Sequence, residues 1–175
     1  MKILIDPGHG IDTPGKRSPD GLLREYLWNR QVADLILEGF LSAGVDASLV
    51  VTETNDVSLR NRVNRVNTIC NKVGASNVVL VSIHANAMGN GIEWMNAKGW
   101  SCYTSKGSTK SDQIAECLYD AFEAEFPDRR IRKDMSDGVD RSDVPYEVLE
   151  RQMKLYKETI EKGFEDENVQ EVIYL

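Results

Sequence analysis

Histidine and cysteine are scarce in this chain: two of the first and three of the second among 175 residues. Cys70, Cys102 and Cys117 are widely spaced and odd in number, and no Cys-x-x-Cys pair occurs. That excludes a thiolate zinc site and a disulfide framework, and leaves the cysteines as small buried hydrophobes of a reducing compartment. Bases are also few, 21 against 28 acids for a net charge of −7. Without a positive surplus to neutralise phosphates, a general nucleic-acid binder is excluded. No apolar run approaches the roughly 20 residues of a membrane-spanning helix, so no membrane partner is expected. Met1-Lys2 leads into Ile3-Leu4-Ile5 and then an acid, too short an apolar run for a secretory signal. The expectation is a monomer that is cytoplasmic as synthesised and acts elsewhere only after release or lysis.

What remains is the composition of an ordinary globular protein, 41% apolar and 28% charged, of a length that suits one domain over residues 1–175. Residues 2–5 read as a short buried strand stopped by Asp6-Pro7-Gly8. Pro7, Gly8, Gly10, Pro14, Gly15, Pro19 and Gly21 then mark a loop. Leu22, Tyr26, Val32, Leu35, Ile36 and Phe40 recur at helical spacing, predicting a helix over 22–43 with Gly44 as its C-terminal cap. Residues 46–53 form a second predicted strand. Leu59, Val63, Val66, Ile69 and Cys70 define a helix over 58–73, capped by Asp56 or Ser58. The β-branched run at 77–85 is the strongest strand signal, suited to the centre of a sheet. Residues 99–105 read as another strand and 108–126 as a helix capped by Ser108 or Thr109. The order β-α-β-α-β-β-α predicts an α/β fold, a mostly parallel twisted sheet flanked by helices in a single three-layer domain.

Beyond Pro127 the pattern changes. A charged, loop-like stretch precedes a predicted helix over 146–164, with Leu149, Met153, Tyr156, Ile160 and Phe164 on one face. The segment "NVQEVIYL" reads as a terminal strand or an extension of that helix. From Asp143 onward acids outnumber bases nine to four, as on a solvated helix face.

Both histidines fall at strand ends: His9 just after the first strand, His84 at the end of the most hydrophobic one. In open parallel sheets, loops from separate strands converge on ligands at that C-terminal edge. Glu25, at the start of the helix after the Gly/Pro loop, faces the same edge. Two histidines and one carboxylate leave a fourth tetrahedral position open, which is how a catalytic rather than a structural zinc is held. The pattern fits a site for zinc or a similar metal ion; two hydrogen-bonded structural histidines remain the alternative.

The words "ILIDPGHG", "REY" and "VSIHAN", in this order, resemble zinc-dependent N-acetylmuramoyl-L-alanine amidases of the Amidase_3 family, and the resemblance covers residues 1 to 138. It implies hydrolysis of the amide between N-acetylmuramic acid and L-alanine in peptidoglycan. It also implies that His9, Glu25 and His84 are the metal ligands and Zn2+ the cofactor. Asn86 matches a place for substrate or second-layer hydrogen bonding, with a structural cap or turn as the alternative, and Asp6 one for orienting His9, with a turn-forming Asp-Pro-Gly as the alternative. The family's general-base glutamate ends a late strand in a segment like "PAVLTEN". Residues 139–175 hold no plain equivalent, and Glu150, five residues after Pro145, is a partial match. Two other readings follow: a metal-binding but catalytically impaired peptidoglycan-binding module, and a zinc peptidase or deacylase with another substrate. Trp94 and Trp100 stand near the same edge, as sugar-stacking platforms or as core.

Overall fold

The computed structural model describes residues 1–87, 90–96, 99–104 and 109–128, and the backbone of 172–174. Four parallel strands form one sheet in the order β2-β1-β3-β4: β1 Lys2–Pro7, β2 Ala47–Leu49, β3 Val78–Ile83 and β4 Val172–Tyr174. The three α-helices among the described residues are α1 Glu25–Ser42, α2 Leu59–Val73 and α3 Lys110–Glu125. None of them is long and apolar enough to cross a membrane.

The two-residue period of the strands divides the core. Ile3 and Ile5 of β1 and Val79, Val81 and Ile83 of β3 face a cluster that includes Ala33 of α1 and Ala115 and Tyr119 of α3. Leu4, Val78 and Leu80 face the other way, against Val66 and Cys70 of α2. The sheet is thus covered on both faces, which is why its strands read as continuous apolar runs. Leu4 and Ile5 are wholly buried, and each stabilises the fold by about 1.5–3 kcal/mol relative to an exposed side chain.

Connections leave β1 and β3 in opposite directions along the sheet, β1 toward β2 and β3 toward β4. α1 crosses from β1 to β2 and α2 back from β2 to β3, in opposite directions along the sheet, so right-handed connections put these two helices on opposite faces, as the two clusters show. Between β1 and β3, at their C-terminal ends, a crevice opens where the chain diverges.

The expected boundaries shift in three places. The first helix begins at Glu25, not Leu22, because residues 17–24 form a small hairpin. In it Arg17 pairs with Arg24, and Ser18 N–H donates to the Leu23 carbonyl at 2.9 Å. The second strand ends at Leu49, and Val50 and Val51 turn into the α2 cluster instead. Residues 99–104 make only isolated bridges at Trp100 and Tyr103, although the alternately buried Cys102 and Thr104 imitate a strand. Cap expectations hold at Ser58, whose Oγ accepts from Asn61 N–H at 3.4 Å, and at Gly44, which follows α1 with φ +73°. β4 agrees with the strand reading of "NVQEVIYL". The expected helix over 146–164 and Glu150 lie outside the described residues.

Two of the cysteines are buried as expected, and burial pushes the Cys102 thiol up to about 12. Cys117, however, is exposed. It lies on the solvent side of α3, two residues from the buried Ala115 and Tyr119.

Candidate metal centre

The crevice between β1 and β3 receives one side chain from each of three elements. His9 follows β1, His84 follows β3, and Glu25 opens α1. One ligand atom from each lies within 4.8 Å of the others, the only such grouping of histidine, cysteine and acid among the described residues. Glu25 Oε1 is the hub, 3.2 Å from His84 Nδ1 and 3.3 Å from His9 Nε2. It also accepts the Ala85 N–H at 3.1 Å, while Lys16 Nζ lies 3.9 Å from Oε2. The Glu25 backbone N–H donates to the Lys16 carbonyl at 3.0 Å, anchoring the start of α1. The two imidazole rings stand edge to face with centroids 4.9 Å apart.

Burial works against the charge on Glu25, but the hydrogen bond from His84 and the nearby His9 imidazole outweigh it and hold the carboxyl well below the usual range. Glu25 is therefore an anion at neutral pH. His9 Nε2 is buried and out of alignment for a hydrogen bond. A buried, unbonded ring nitrogen costs free energy unless something completes it. A metal bonded at 2.0–2.1 Å in tetrahedral geometry separates its ligand atoms by about 3.3 Å, close to both contacts at Glu25 Oε1. Two imidazoles and a carboxylate form a donor set suited to zinc. The residues fit the ion.

Glycines make this approach possible. A Cβ on Gly8 would stand 2.2 Å from His84 Cε1, because the imidazole rests on the Gly8 backbone. A Cβ on Gly10 would fall 1.9 Å from Asp56 N. His9, between them, takes φ +62°, a left-handed conformation that costs a non-glycine residue about 1–3 kcal/mol and persists only where its surroundings impose it.

Sequence reasoning missed those surroundings. Arg62 of α2, nearly fully buried, donates to Asp6 Oδ1 at 2.6 Å, to the Pro7 carbonyl at 2.8 Å and to Asp56 Oδ1 at 3.0 Å. Asn29 of α1, wholly buried, donates to the Gly8 carbonyl at 3.1 Å. Arg30 donates to the His9 carbonyl at 2.8 Å. Asp6 thus acts on the turn through Arg62. The available signal was polarity on buried stripes: Arg62 lies one turn before Val66, and Asn29 one turn after Glu25.

The remaining candidates are dispersed. Asn86 is exposed, two residues beyond His84. Trp100 packs on Tyr119 and Phe122 with ring centroids 4.7 and 4.4 Å apart, so it belongs to the core. Trp94 is 66% exposed.

Known proteins share this architecture. The family model Amidase_3, described as N-acetylmuramoyl-L-alanine amidase, matches residues 3–170, extending beyond residue 138. An N-acetylmuramoyl-L-alanine amidase from Clostridium difficile 630 is similar with a TM-score of 0.59 and 25% identity, covering 99% of this chain and 76% of that one. The CwlD amidase from Clostridioides difficile, solved in complex with the GerS lipoprotein, gives 0.61 at 18% identity over 99% and 79%. The amidase AmiC2 of Nostoc punctiforme gives 0.56 at 22% over 93% and 92%. A search of curated protein sequences found no match.

Proposed function

Because the chain belongs to the Amidase_3 family of N-acetylmuramoyl-L-alanine amidases, we propose that His9, Glu25 and His84 hold a zinc ion with which the protein hydrolyses the amide between N-acetylmuramic acid and L-alanine in peptidoglycan. The observation that carries the zinc reading is the meeting of three ligand atoms around a buried His9 Nε2 with no hydrogen-bond partner. Held by these three residues, a zinc ion would supply the Lewis acidity that polarises an amide carbonyl and activates water.

The chain's own residues prepare that chemistry. Ala85 N–H and Lys16 fix the two oxygens of Glu25, so the carboxylate is held as an anion without rearrangement. The His9 and His84 side chains are about one-fifth exposed, at 19% and 21%, so the centre is reachable from the crevice but walled on its other sides. Peptidoglycan, a sugar–peptide polymer, would lie along this open edge at the strand ends, past Asn86. Glu150, the partial match to the family's general-base glutamate, is the proposed source of the proton that the departing amine needs. Such a positioned acid or base contributes about 10²–10⁴-fold.

The reading is tested by mass spectrometry of purified muropeptides incubated with the protein, before and after chelation and after zinc is restored. Release of stem peptide with a free alanine N-terminus, abolished by the chelator and recovered with zinc, is the expected result. Intact muropeptides at one bound zinc per chain would support the binding module instead.

A further inference from the structure

Three consecutive carbonyls of the turn that carries His9 are each held by a side chain from a helix. Pro7 is bonded by Arg62, Gly8 by Asn29, and His9 by Arg30 at 2.8 Å and by Arg62 at 3.5 Å. Arg30 does more than close this set. Its Nε and Nη2 both donate to the Glu53 carbonyl, at 3.1 and 2.6 Å, and its Nη1 also reaches the Tyr26 carbonyl on its own helix. One guanidinium therefore ties α1, the segment after β2 and the His9 turn together. The planar fork of arginine allows this, and no other side chain offers so many fixed donors.

We propose that Arg30 is a positioning residue: it holds the His9 backbone in its left-handed conformation, and thereby sets how tightly the site takes its metal. The inference rests on the reading of His9, Glu25 and His84 as metal ligands. A backbone at φ +62° returns to the ordinary region when nothing holds its carbonyl, and that rotation carries the imidazole away from Glu25 and His84. Arg62 shares the task, but it is buried and paired with Asp6, so removing it strands a charge inside the protein. Arg30 is half-buried, and the carbonyls it leaves can turn to water. Arg30 is thus the position at which positioning can be separated from folding.

The test is Arg30→Met, read by zinc affinity in competition with a chromogenic chelator and by the imidazole NMR signals of the metal-free chain. With two histidines in the whole sequence, each ring is resolved and assigned by single substitution. The expected result is a loss of zinc affinity of about 10–100-fold, the range for residues that orient metal ligands. His9 signals shift or split while those of His84 stay in place. A merely structural role would lower the unfolding temperature yet leave the zinc affinity of the folded protein within twofold of the parent and both imidazoles unchanged, and that would overturn the proposal. Should Arg30→Met not fold, Arg30→Gln, too short to span His9 and Glu53, is held to the same two criteria. Failure of the parent protein itself to bind zinc would instead sink the metal reading, which distinguishes the two.

Discussion

At the scale of single residues, the centre depends as much on an absent atom as on the three side chains that meet there. Gly8 has no side chain, and the His84 ring lies where a Cβ would be, 2.2 Å away. Gly8→Ala is therefore expected to displace the imidazole and weaken zinc binding by at least about tenfold, measured by chelator competition. Gly10→Ala acts differently. Its Cβ would meet the backbone of Asp56 at 1.9 Å and not a movable ring. Its effect should appear in the unfolding temperature, as a loss of about 1–3 kcal/mol from overpacking. His9, Glu25 and His84 were legible because each adjoins an element boundary with a clear signal: a strand end, a helix start, a second strand end. Asn29, Arg30 and Arg62 were not. Nothing in a pattern of spacing says which buried carbonyl a polar side chain on a helix will meet.

Between elements, two polar contacts hold segments that regular secondary structure leaves loose. Tyr119 Oη of α3 donates to the Cys102 carbonyl at 3.1 Å and accepts the Cys102 N–H at 3.3 Å. This pins the stretch that the sequence presents as a strand. Apolar alternation at Trp100 and Cys102 reflects packing on α3, and periodicity alone cannot tell that from a paired ladder. Tyr119→Phe leaves both buried backbone groups without their partner. It should cost about 1–3 kcal/mol in urea unfolding, with the rings of Trp100 and Phe122 still stacked. The second contact is a forked pair after β2, where Arg65 Nη2 and Nη1 reach Glu53 Oε1 and Oε2 at 2.6 and 3.0 Å. Arg65 holds the Glu53 carboxyl at about 2, below its ordinary 4.5. A carboxyl depressed on folding favours the folded state above the ordinary value, and that advantage disappears as pH falls through the depressed one. Arg65→Met should accordingly lower the unfolding temperature at pH 7, and the gap to the parent should narrow toward pH 2, where only the lost bond to the Val50 carbonyl remains.

For the molecule as a whole, the layered fold was readable because sheet and helices obey different periods. Strands buried on both faces appear as unbroken apolar runs, and the alternation of helices and strands dictates a parallel sheet. Sheet order was not readable, since it depends on which edge each crossover returns to. That order places His9 and His84 side by side. If zinc bridges them, it binds the folded chain and not the unfolded one, so zinc at about 100 times its dissociation constant should raise the unfolding temperature by about 5–10 °C. His84→Ala should abolish the rise, and calorimetry with and without zinc decides it.

The same strand order bears on how the molecule is made. β1, made before the other three strands of this sheet, ends up inside it with a neighbour on either side. One of those neighbours, β3, is synthesised only after two helices have emerged. His9 and Glu25 must wait for His84, 59 residues beyond Glu25, and Asp6 waits 56 residues for Arg62. Pairings so distant along the chain form late and slowly. A nascent chain that has not yet reached His84 therefore displays an acid and a lone histidine without their third partner. The three side chains of the proposed metal site come together in a single step, when the third strand docks beside the first.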